Sequence, residues 1–86
     1  MGLVNRLHAP EQLAEATYAY VRDLVDNVSP RSMRIIKRQQ YAVPFQTLAE
    51  ATREANREMA EALQSEDFRE GVAHFVEKRP ARFTGR

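Results

Sequence analysis

Four prolines cut this chain into helix-length pieces. Pro10, Pro30, Pro44 and Pro80 each sit where a helix can begin or has to stop. Proline suits the first helical position, where its missing N–H would find no partner anyway, but it breaks a helix interior. Ser29 sets a favoured N-cap before Pro30. Ser65 supplies another, with Glu66 and Asp67 in the first turn, where the helix dipole favours acids. Val43, preceding Pro44, is pushed out of the helical region. Lys78 and Arg79 lie ahead of Pro80, and cations suit the negative end of a helix. These marks predict helices over 10–27, 30–41, 44–63 and 65–79, then a tail over 80–86.

The apolar spacing agrees. In the first segment Leu13 or Ala14, Tyr18, Val21, Leu24, Val25 and Val28 recur at intervals of three and four. Met33, Ile36 and Gln40 share a face in the second. Phe45, Leu48, Thr52, Ala55, Met59 and Ala62 form a slim seam in the third. Charges there offer favourable pairs, Glu50–Arg53, Glu54–Arg57 and Arg57–Glu61. Phe68, Val72, Phe75 and Val76 make the stripe of the fourth. The expected fold is all-α, a single domain over 1–86 of four helices with short joints and antiparallel neighbours. Leu3–Val4 is compatible with the end of a strand whose partners lie elsewhere, so the chain is expected to begin in mid-structure.

A chain of 86 residues has a large surface for its core. Disulfides, metals or partners usually compensate. There is no cysteine, and His8 and His74 stand far apart, unlike the dense ligand spacing of a structural zinc site. Partners remain, so self-association or a neighbouring domain is expected. No apolar run nears the ~20 residues of a membrane span. The opening MGLVNRLHAP lacks the apolar core and cleavage site of a signal peptide, and Arg6 stands where a myristoylation motif wants Ser or Thr. A cytoplasmic location without membrane attachment is the expectation.

Net charge is +1, but unevenly spread. Arg31, Arg34, Lys37 and Arg38 fall in an acid-free stretch, and Lys78, Arg79, Arg82 and Arg86 follow the last acid. Glu50, Glu54, Glu58, Glu61, Glu66, Asp67 and Glu70 lie between them. No catalytic constellation is visible. Ser29 and Ser65 read as caps, and the three glycines are too isolated for a phosphate loop. The carboxylates read as solvated helix-surface groups, and both histidines as surface or partly packed.

The closing stretch SEDFREGVAHFVEKRPARFTGR resembles the C-terminal signature of the enoyl-CoA hydratase/isomerase (crotonase) family, S-D-x-x-E-G-x-x-A-F-x-E-K-R-x-P-x-F-x-G. Ser65, Asp67, Glu70, Gly71, Phe75, Glu77, Lys78, Arg79, Phe83 and Gly85 answer to it. His74 departs from it, standing where a small residue is common, and Pro80 comes one position early. Upstream, Gly2, Leu3, Val4, Asn5, Leu13, Ser29, Pro30 and Lys37 match the family's strand and helix motifs in order. The resemblance covers essentially the whole chain.

The resemblance implies a C-terminal helical region. In that family an N-terminal spiral domain supplies the oxyanion-hole N–H groups and the catalytic acids. None is expected within these 86 residues, so no residue here is assigned a catalytic role. The region is expected to act in oligomerisation and in covering an acyl-CoA site. By position, Phe75 and Lys78 are the substrate-binding candidates: an aromatic face for an apolar part of the ligand, and an ammonium for a CoA phosphate. From periodicity alone, Phe75 is core and Lys78 a helix-end charge. No cofactor is expected beyond the coenzyme A thioester that is the parent's substrate. A nucleic-acid-binding or protein-interaction module is the competing reading, resting on the four cations of SPRSMRIIKRQQY. Against it, those cations surround the helix and the chain is nearly neutral.

Overall fold

The computed structural model describes residues 2–86. Four helices follow in order: α1 Pro10–Asn27, α2 Pro30–Ala42, α3 Leu48–Leu63 and α4 Glu66–Glu77, with a 3-10 turn at Val43–Phe45. No strand forms among the described residues. Leu3 and Val4 lie in non-regular backbone, and both are exposed.

Local chemistry sets the helix starts. α1 opens on Pro10 with no side-chain cap, leaving the proline ring and Glu11 as its start signals. α2 opens on Ser29, whose Oγ accepts the Ser32 N–H at 3.1 Å. The third helix departs from expectation, beginning at Leu48 rather than at Pro44. Val43, expected to leave the helical region ahead of Pro44, instead stays helical at φ -49, ψ -43; it opens one 3-10 turn that the Gln46 N–H closes on the Val43 carbonyl, and Gln46 is then extended. A reciprocal cap follows: Thr47 Oγ1 accepts the Glu50 N–H, and Glu50 Oε2 accepts the Thr47 N–H at 2.7 Å. Two orphan donors are satisfied together, which fixes the start more firmly than a proline can. α4 starts on the Ser65 cap and ends at Glu77, two residues before Arg79.

α3 packs against both α2 and α4, yet no apolar side chain among the described residues is buried. The accessible surface is 7545 Å², against about 5,200 Å² for a folded monomer of this mass. The radius of gyration is 16.3 Å, against about 12 Å for a compact chain of this length. The molecule is a slab, 44 × 39 × 19 Å.

Three polar side chains, Ser29, Glu58 and Asp67, are buried instead. The expectation that every carboxylate is solvated is therefore wrong for Glu58 and Asp67. The Asp67 carboxylate accepts from Ser29 Oγ at 2.5 Å, from the Thr84 N–H at 2.8 Å and from the Gly85 N–H at 3.0 Å. Its own N–H donates to the Arg86 carbonyl at 2.9 Å. One side chain thus joins the start of α2, the start of α4 and the tail. Gly85 reaches it at φ +83, where glycine carries no Cβ penalty. Burial alone would raise the Asp67 pKa, but Ser29 and the backbone donors of Thr84, Gly85 and Arg31 outweigh it and hold the group below its ordinary 3.8.

Glu58 ties α3 to α2. Its Oε1 accepts from Arg38 and, at 3.1 Å, from Arg57, which also bonds Glu54 and Glu61. The expected Glu54–Arg57 and Arg57–Glu61 pairs are present, while Glu50 is taken by its cap instead of by Arg53. At the far end of α4, Arg79 grips Glu70 through its two terminal guanidinium nitrogens, at 2.5 and 2.9 Å, and the Arg82 N–H adds a bond to Glu70 at 2.7 Å.

Asp67→Asn removes a charge that three donors face, and is expected to destabilise the fold by about 2 kcal/mol. Amide exchange at Thr84 and Gly85 should accelerate first; unchanged protection there would contradict the tie. Acid should act the same way. Asp67 and Glu70 both have depressed folded pKa values, Glu70 at about 2 against an ordinary 4.5. Their stabilisation is present above the ordinary values and lost as pH falls through the folded ones. Protection of the Arg82, Thr84 and Gly85 amides should fade between pH ~4.5 and ~2, while exchange in α2 and α3 that stayed equally fast would separate tail release from global unfolding.

Candidate functional site

The C-terminal end of α4 carries both sequence-predicted site residues. Phe75 lies three positions before Lys78, on the last turn. Its ring is 79% exposed, so it is not core within this chain. Lys78 is exposed and caps the helix at φ 52, ψ 45, the left-handed region. It is the single non-glycine residue at positive φ among the described residues. An L-residue there loses roughly 1–2 kcal/mol to Cβ crowding, which is why glycine usually takes this position.

The turn is closed by a shared acceptor. The N–H groups of Lys78 and Arg79 both donate to the His74 carbonyl, the latter at 3.2 Å. The helix ends just ahead of Pro80, whose ring disfavours helical geometry at Arg79. Reversal at Lys78 throws Arg79 back onto Glu70, nine residues earlier. The His74 ring packs edge-on to Phe83, centroids 6.0 Å apart at 77°, fixing the tail against the helix. His74 is thus half-buried and engaged in packing, while His8 is exposed.

Charge at this end is partitioned. Arg79 is held by Glu70 and, through Nε, by Glu77 at 2.5 Å. The hydrogen bond from Arg79 is the largest cause of the Glu70 depression to about 2, joined by the Arg82 backbone and opposed by partial burial. The same contact to Glu70, then that to Glu77, raises the Arg79 pKa. Arg79 is therefore an internal cation. Lys78 makes no ion pair among the described residues, leaving its ammonium open.

The arrangement can contact an anionic, partly apolar ligand, but it holds no nucleophile–base pair. No group of three His, Asp or Glu side chains among the described residues is placed to hold a metal. A cleft between α2 and α4, lined by Ser29, Arg31, Asp67, Phe68, Gly71 and Phe83, offers no alternative. Its carboxylate is already spent on Ser29 and backbone donors. Sequence reasoning missed Asp67 and Glu70 as structural groups, although both were among the residues matching the terminal signature. No helix among the described residues is long and apolar enough to cross a membrane.

The whole chain, residues 1–86, matches the Enoyl-CoA hydratase/isomerase family. A candidate enoyl-CoA hydratase of Thermus thermophilus is 35% identical over 83 residues, covering 96% of this chain and 32% of that protein. The crystal structure of a probable enoyl-CoA hydratase/isomerase from Mycobacterium abscessus superimposes with a TM-score of 0.88 at 28% identity, over 99% of this chain and 34% of that one. The chain thus spans about a third of the length of these relatives. Sequence match and helix arrangement agree: the chain belongs to the enoyl-CoA hydratase/isomerase family.

Proposed function

We propose that this chain is the helical assembly and site-covering region of an acyl-CoA hydratase or isomerase, inactive alone. The observation that carries the reading is that no apolar side chain among the described residues is buried, so the helix faces stay open. Phe45 and Leu48 on the α3 side are 88% and 85% exposed, and Phe75 and Val76 on α4 are 79% and 71% exposed. A folded monomer ordinarily buries residues of these types in its own core. Such faces suit a layer laid on a larger body or on another copy. The Phe75–Lys78 end would meet the acyl-CoA, with the ring on an apolar part and the ammonium on a phosphate. The oxyanion-hole donors and the catalytic acids would come from the remainder of the parent protein.

The nucleic-acid reading loses support from the α2 charges. Arg38 is bonded to Glu58 and Glu54, and Arg31 lies beside Glu58 and Glu61. Two of the four cations that suggested it are turned to α3.

Sedimentation equilibrium should show species above monomer at micromolar chain, together with binding of an apolar-surface dye. A monomer that binds no dye would sink the assembly reading. Isothermal titration with coenzyme A should give measurable binding that Lys78→Ala weakens about tenfold, the equivalent of one charged contact. Equal affinity in the variant would remove Lys78 from the ligand.

A further inference from the structure

The left-handed turn at Lys78 is built by its neighbours and not by its own side chain. Arg79 sends two bonds to Glu70, one to Glu77 and one to the Pro80 carbonyl. Its N–H shares the His74 carbonyl, and its carbonyl lies 3.3 Å from His74 Nδ1. Glu70 also holds the Arg82 N–H. From Arg79 to Arg82 the hydrogen bonds that hold the chain pass through Glu70 or Arg79, while Thr84 and Gly85 farther on are held by Asp67. For the backbone alone a glycine at 78 would serve better. Strained conformations of this kind persist where the surroundings over-determine them, and they cluster at ligand contacts.

The same fork decides which cation is available. Arg79, with five donors suited to a phosphate, faces two carboxylates instead. We infer that Glu70 and Arg79 are positioning residues, whose ion pair holds Lys78 in its left-handed turn and leaves its ammonium unpaired, at the same helix end as Phe75, for a phosphate-bearing ligand. The clamp on the turn is independent of any ligand; the ligand half rests on the reading of Lys78 given above.

The test uses the 86-residue chain as wild type, Glu70→Gln, Arg79→Lys and Lys78→Gly. One readout is the sign of φ at Lys78, from its intraresidue amide–Hα distance by NMR. The other is the affinity ratio for adenosine bisphosphate over adenosine, with helix content followed by circular dichroism. Glu70→Gln and Arg79→Lys should each lower the left-handed population about tenfold, and the affinity ratio should fall with it at unchanged helix content. Lys78→Gly should keep positive φ and lose the ratio. Positive φ surviving in both clamp variants overturns the inference, as does a ratio that stays constant after the turn is released. A wild-type chain blind to the phosphates, with φ still released in both variants, instead overturns Lys78 as a ligand contact and supports the clamp's hold on the turn.

Discussion

The buried carboxylate of Asp67 is the constraint on which this architecture turns. It lies among a hydroxyl and two backbone N–H groups drawn from Ser29, Thr84 and Gly85. A buried charge is tolerated only when its lone pairs are met, and here they are met by donors up to 38 residues away from it. The helices could otherwise splay, because no apolar core draws them together. That one group ties α4 to α2 and holds the last residues of the tail, whose first residues Glu70 fastens to α4.

Polar anchors of this kind give direction where apolar contacts would give bulk. Asp67, Glu58 and Glu70 fasten α4 to α2, α3 to α2 and the tail to α4. Most of the cations involved are partly solvated, so each such pair contributes modestly. Glu58 is less comfortable: its Oε2 has no hydrogen-bond partner, with Arg31 3.9 Å away. The frame is thus well specified in geometry and weakly supported in free energy. That is the condition expected of a layer whose apolar faces are completed by something else.

The number and order of helices were legible because prolines and serine caps act locally. Helix limits were less so. Thr47 and Glu50 form a capping box that the more conspicuous Pro44 masked, since a proline announces a start without proving it. The buried carboxylates were not legible from charge pattern at all. Glu58 sits in a run of acids at surface spacing, and what distinguishes it is that both Arg31 and Arg38 of α2 reach it. Phe75 and Lys78 came from resemblance. The backbone of Lys78 could not be foreseen, because a left-handed lysine depends on a contact between residues nine positions apart.

Ser29 has a double position with a consequence for cooperativity. Its oxygen accepts the Ser32 N–H at the start of α2, while its hydrogen goes to Asp67 on α4. Hydrogen bonds in such a relay polarise one another, so the anion makes the serine oxygen a better acceptor. The strength of the α2 cap is therefore set partly by a charge on a different helix. Two helix starts that are distant in sequence behave as one titratable joint, and neither is at full strength until the other has formed.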